Sequence, residues 1–251
     1  MHIFTLLIHA RMLDHIRLNQ LLVIDIETVP GLPEFASLNS ALKDLWRIKA
    51  GHLGKKETDD EQEFYFNHAG IYAEFGKVIC IVAGKFVADK EAETFKLKTI
   101  AGDNESELLR TFLSLIAAQS KKTNWQFAGH NVREFDVPYI CRRALVNRLA
   151  LPSLLDIAGK KQWDVQMADT LQLWRFGDFK HYTSLKLLME ILGLPSPKSD
   201  IDGKDVGRVY WKEKDLNRIT EYCRRDVVAV ARLIQHFKGM KPVADSAVIE
   251  V

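Results

Sequence analysis

The chain has 251 residues, 47% hydrophobic and 27% charged, with a formal net charge of +2. This is the composition of a soluble globular protein that can bury a full core without disulfide or metal staples, as one large α/β domain or, less easily, two small ones. A near-neutral balance gives no bulk signal for an acidic or basic partner, so any nucleic-acid chemistry must be read from a local site.

The three cysteines, Cys80, Cys141 and Cys223, are far apart, lie among apolar residues and have no metal-ligand spacing. They read as reduced, structural thiols of a cytoplasmic protein. The apolar run after Met1 is interrupted by Thr5 and stops after Ile8, too short to span a membrane and without a basic leader. Met12 is an equally good start, and residues 1–20 are expected to be an N-terminal extension.

Leu21-Leu-Val-Ile-Asp25-Ile-Glu27 is a short apolar run suited to a buried strand. Residues 30–76 read as an insertion with mixed helical signals, partly mobile around the charged, glycine-containing stretch from Gly51 to Glu63. Lys77–Ala83 and Glu93–Ile100 are the next strands, followed by a helix over Asn104–Ile116 with acids in its first turn. Trp125–Gly129 is a strand, and Pro138–Leu149 a helix with proline in its first turn. Trp163–Leu173 reads as a strand and then a turn or short helix. Ser184–Gly193 is a helix closed by glycine, Leu194–Gly207 a loop, and Glu213–Phe237 the last long helix. Residues 21–240 thus form the expected single domain, with 241–251 as a tail. The order predicts an α/β fold with a mixed sheet and helices on its faces.

Asp25 and Glu27, two apart on a strand, point to one face. Two acids there are costly unless a positive charge lies between them, or unless the strand end is solvated. An oxygen-only ligand set suits Mg²⁺ or Mn²⁺. Asp136 follows Gly129-His-Asn131 and Phe135 at a helix start, where it is either an N-terminal cap or a ligand. Tyr222 and Asp226 share a helix face four residues apart, a pair that more often packs or solvates.

Taken in order, Asp25-Ile-Glu27-Thr28, Asn131 through Phe135-Asp136, and Tyr222-Cys-Arg-Arg-Asp226 resemble the three motifs of the DEDD 3′→5′ exonuclease superfamily. More closely, the chain is similar to the proofreading exonuclease domains of family-B DNA polymerases and their stand-alone relatives. The resemblance spans about Leu21 to Phe237. The histidine subclass has a histidine five residues before the last aspartate, where this chain has Glu221; Tyr222 fits the tyrosine subclass. The resemblance implies a ribonuclease H-like fold with a sheet of five to six strands and a site for two ions, Mg²⁺ or Mn²⁺. In it Asp25 would bridge both ions, Glu27 and Asp226 hold the one that binds the attacking water, and Asp136 supports the other. Tyr222 would orient the water; with an ordinary pKa near 10 a phenol is a poor base. Thr28, Asn131 and Phe135 match positions that contact terminal nucleotides, although core packing explains Phe135 equally well.

The implied activity is removal of nucleotides from a single-stranded 3′ end, best DNA, in proofreading or repair, with a separate polymerase or repair protein as a conceivable partner and no membrane. A catalytically silent nucleic-acid binder of the same fold and a phosphoesterase acting on very short oligonucleotides are the competing expectations. Lys198 and Lys204 are candidates to meet substrate phosphates, His181 to touch substrate. Asp164 and Asp169 read as solvated or hydrogen-bonded acids rather than accessory ligands. The segment from Asp200 to Asp205 departs from calcium-loop spacing and reads as a solvated turn.

Overall fold

The leucine, valine and isoleucine of Leu21–Ile24 favour a pleated strand buried on both faces, and this strand organises the molecule. In the computed structural model, which describes residues 13–88, 93–120, 125–161, 164–178, 180, 182–195 and 200–251, β1 (Leu21–Pro30) pairs antiparallel with β2 (Gly76–Ala88), and β2 antiparallel with β3 (Glu93–Ala101). On its other side β1 runs parallel to β4 (Gln126–Gly129), which is parallel to β5 (Met167–Asp169). A short β6 (Val248–Glu250) lies parallel to the outer side of β3, giving the order β5-β4-β1-β2-β3-β6. This is the expected α/β, ribonuclease H-like sheet, six strands wide and mixed in direction. The helices are α1 (Ser40–His52), α2 (Glu61–His68), α3 (Glu105–Ser120), α4 (Asp136–Val146), α5 (Thr170–Arg175), α6 (Leu185–Ile191) and α7 (Leu216–Phe237). No helix among the described residues is long and apolar enough to cross a membrane.

Alternation along β1 feeds two cores. Leu21 and Val23 join Cys80, Val82 and the apolar stripe of α7 that includes Cys223, Val227, Val230 and Ile234. Leu22, Ile24 and Ile26 face the other way, onto Leu109, Phe112 and Ile116 of α3 and Val137 and Ile140 of α4.

The insertion, read as carrying mixed helical signals, holds two helices capped by Asn39 and Asp60. They pack around fully buried Trp46, whose ring lies 5.2 Å from Tyr65 and 5.0 Å from Phe75. The end of the expected loop and the residues after it are helical: a turn at Val206–Arg208 runs into a π-helical turn at Val209–Glu213. Val206, Val209 and Tyr210 bury there against Val29 and Ile79. The expected tail supplies β6, through a three-residue pairing too short to leave a periodic signal. Asp200–Asp205 is indeed a turn, with Asp202 and Asp205 forming a capping box.

A buried ion pair joins the layers. Glu105 at the start of α3 accepts from the Val78 amide (2.8 Å), Arg143 Nε (2.8 Å) and Asn147 Nδ2 (2.9 Å), while Arg143 Nη1 donates to the Ala73 carbonyl (2.8 Å). Removing one partner strands the other charge. Arg143→Ala is expected to lower the unfolding free energy by roughly 3 kcal/mol; a urea midpoint equal to that of the parent would refute this.

Candidate active site

Beyond Val23, β1 has no partner on its β4 side, because β4 pairs only with Leu21–Val23. The loop after β4 turns into this gap. Gly129 permits the turn: a Cβ there would lie 2.6 Å from Val132 Cβ and 3.0 Å from the Ile24 carbonyl oxygen. The turn delivers Asp136, 3% exposed, whose Oδ1 accepts the otherwise open Ile26 amide at 3.1 Å. Asp136 is the first residue of α4 and Phe135 holds the cap position. The carboxylate is thereby fixed to β1 between Asp25 and Glu27, a role that the expectation of a helix cap did not contain.

The predicted acids converge. Burial first, and then the charges of Asp136 and Asp226, holds Asp25 well above the usual carboxylate range. Burial, followed by Asp25 and Asp226, does the same to Glu27. Asp136 is pushed up to about 7 by burial, against the opposing pull of two backbone amides. Asp226 is raised to about 6 by burial, although a hydrogen bond from Tyr222 opposes the shift. The Tyr222 phenol is itself driven far above its ordinary value by burial and then by Asp226, Glu27 and Asp25. It therefore keeps its proton and donates it. Closest to Asp25 and Glu27 is a group the sequence reading took as merely structural: Cys223, whose Sγ lies within 4.8 Å of an oxygen of each and sits 3.2 Å from Asp25 Oδ2. Burial pushes this thiol up as well, so it stays a donor to Asp25 rather than a thiolate.

The residues matched to nucleotide contacts are placed differently. Thr28 follows a register shift between Glu27 and Thr28, and its hydroxyl pairs with that of Tyr139. Phe135 is half-buried, its ring 5.5 Å from Tyr139, which favours its packing role. Asn131 adopts a left-handed backbone (φ 65°) and its amide donates to Asp169 Oδ1 at 3.0 Å. Asp169 also accepts the amides of Arg133 (3.1 Å) and Leu171 (3.0 Å), so it is a hydrogen-bonded brace. It ties the loop before α4 to the start of α5. His181, Lys198 and Trp163 lie outside the described residues; Lys204 is exposed.

A cleft of about 830 Å³ opens over Asp25, Tyr222 and Asp226, walled by His130, Tyr182, Lys186 and Arg225. His130 is held at both ring nitrogens, to Thr170 Oγ1 at 3.0 Å and the Thr183 carbonyl at 2.9 Å, and Tyr182 stands beside it, 65% exposed. Sequence reading quoted His130 within Gly129-His-Asn131 but gave it no role, because its partners Thr170 and Thr183 are 40 and 53 residues away.

Fold and site thus define a ribonuclease H-like α/β protein with a buried acid cluster at the open end of its central strand. Residues 72–242 match the family described as a predicted 3′-5′ exonuclease related to the exonuclease domain of PolB, and the chain belongs to that family. The matched region includes Asn131, Asp136, Tyr222 and Asp226 and begins downstream of Asp25 and Glu27. Among solved structures, the family B DNA polymerase from the hyperthermophilic archaeon Pyrobaculum calidifontis is similar at 14% identity and a TM-score of 0.48, over 86% of this chain and 24% of that one. A search of curated proteins gives no match.

The raised carboxyls fix a pH dependence. A carboxyl whose folded pKa exceeds its unfolded value contributes stability at low pH that is lost as pH rises through the folded pKa. For Asp136 at about 7 and Asp226 at about 6, the loss spans roughly pH 4 to 7. In EDTA, Tm is expected to fall between pH 5 and pH 8 by at least ~3 °C. Asp136→Asn, which retains an acceptor for Ile26, should flatten the profile; an unchanged slope in that variant would show that the cluster is not the cause.

Proposed function

We propose that the chain is a divalent-metal-dependent 3′→5′ exonuclease of the tyrosine subclass that hydrolyses single-stranded DNA from its 3′ end. The observation that carries this reading is the cluster of Asp25, Glu27, Asp136 and Asp226, all raised in pKa, with Tyr222 hydrogen-bonded to Asp226. Carboxylates gathered at such cost in a buried place suit hard divalent cations, and the donor set fits Mg²⁺ or Mn²⁺. Asp25, Glu27, Asp136 and Asp226 would hold two such ions, which when bound supply Lewis acidity and an activated water for in-line phosphodiester displacement. Cys223 is a neutral neighbour that donates to Asp25, not a member of that hard-ligand set.

The chain's own groups do the positioning. Asp136 is immobilised by the Ile26 amide, so its free oxygen has a fixed direction. Tyr222 retains its proton and offers it as a hydrogen bond, which orients a water rather than deprotonating it. Its bond to Asp226 ties that orientation to the carboxylate frame. Trimming of frayed or mismatched 3′ ends, as in repair or proofreading, is the work such a site suits. The free cysteines fit a reducing, cytoplasmic setting.

The test is a time course on 5′-labelled single-stranded DNA and RNA of one sequence, with Mn²⁺, Mg²⁺ or EDTA. A metal-dependent ladder shortening from the 3′ end is expected, and Asp25→Ala/Glu27→Ala should cut the rate about 10³-fold or more. Mn²⁺ should also raise the Tm of the parent at pH 8 and leave that of the double variant nearly unmoved. No cleavage of either strand, with binding intact, would instead establish a silent binder. Separately, Tyr222→Phe is expected to lower kcat about 10- to 100-fold with Mn²⁺ stabilisation preserved; loss of the metal response in this variant would assign the phenol to binding the ions.

A further inference from the structure

A groove of about 1040 Å³ lies away from the acid cluster, between the insertion and the segment from Lys204 to Lys212. One wall is basic and aromatic. Trp211 on the π-helical turn is half-buried, and its ring is oriented by Nε1 donating to the Pro30 carbonyl at 3.0 Å. Two ammonium groups flank it, Lys77 Nζ at 4.9 Å and Lys214 Nζ at 5.0 Å from the ring centre. Across the groove Phe66 of α2 carries Lys212 Nζ at 5.1 Å, and Lys204 and Arg208 extend the same rim. The insertion wall is polar and acidic, with Glu34, Asp60, Gln62, Glu63 and Asn67, and on the opposite rim Arg208 is paired with Asp205 and Glu213.

Trp211 and Tyr222 pack on one apolar cluster with Val29 and Tyr210. Trp211 is bonded to Pro30, three residues beyond Glu27 on β1, so the groove is tied to the strand that carries Asp25 and Glu27.

We propose that this groove binds the upstream part of the single-stranded substrate. Bases stack on Trp211 and Phe66, phosphates follow Lys204, Lys212 and Lys214, and base amino groups meet the acids of the insertion wall. An aromatic platform beside a row of cations is the arrangement that binds single strands without sequence preference, and carboxylates accept from exocyclic base amines. The insertion thereby acts as the second wall of a strand channel. The proposal rests on the exonuclease reading for the direction of the strand, and goes beyond it in assigning a site.

The experiment compares a single-stranded 12-mer with a trimer, which is too short to fill the groove. Lys204→Glu/Lys212→Glu, two exposed positions, and Trp211→Ala should each raise KM for the 12-mer about tenfold, with kcat and both constants for the trimer unchanged. In EDTA, anisotropy of the labelled 12-mer should show about tenfold weaker binding by the double lysine variant, with a reduced salt slope. Quenching of tryptophan emission by the 12-mer should shrink in Trp211→Phe. Equal effects on trimer and 12-mer, or none on either, overturn the proposal. If the parent cleaves nothing, the exonuclease reading falls and the anisotropy arm still decides: weakened binding supports the groove, unchanged binding overturns it.

Discussion

A single unmet backbone donor shapes the site. Where β4 leaves β1 after Val23, the Ile26 amide faces a gap, and a buried N–H without a partner is costly. Asp136 meets it from a helix start that is 110 residues distant in sequence. The same bond that completes the strand fixes a carboxylate between two others, so folding and placement of the acids are one event. Gly129, which lets the chain pass close to Ile24, and Asp169, which gathers the amides of Asn131, Arg133 and Leu171, exist to make that placement rigid.

The fold tolerates the cluster because everything around it is bonded. Four acids beneath one cleft repel, and burial penalises each charge further, which is why all four carboxyls are raised. The opposing contributions come from donors: the Ile26 amide, the Tyr222 hydroxyl and the Cys223 thiol. These offset part of the cost without adding positive charge, so the cations proposed for the site would still meet uncompensated acids. A lysine in the position of Cys223 would satisfy Asp25 outright. A neutral thiol does not.

Much of this was legible because the chemistry is periodic. Asp25 and Glu27 fall on one face by the two-residue repeat of a strand, and Tyr222 and Asp226 on one face by the four-residue spacing of a helix. The two buried cores follow from the same alternation. What escaped reading depends on contacts distant in sequence. Asp169 reads from sequence as a solvated or hydrogen-bonded acid, but which amides it gathers depends on the loop at Asn131, 38 residues earlier. Cys223 directly follows Tyr222, yet reaches Asp25 because α7 lies against β1 at that point. The helical turns at 206–213 were hidden by the glycines and charges before them, since their apolar partners are Val29 and Ile79 on the sheet.

The insertion looks like an interruption of the motif order, but the bonds that hold it argue for a shared task. Trp211 donates to Pro30, the last residue of the strand that carries Asp25 and Glu27. Arg143 of α4, the helix that begins with Asp136, donates to Ala73 at the insertion's far end. Both ends of the insertion are thus fastened to elements that present the acids, and its own core, built on Trp46, keeps the span between them stiff. A segment anchored at both ends to the acid-bearing elements cannot move independently of them. The groove between the insertion and the 204–212 segment therefore holds a constant offset from the carboxylates, which a surface must do if it is to set how far a strand extends from the point of cleavage.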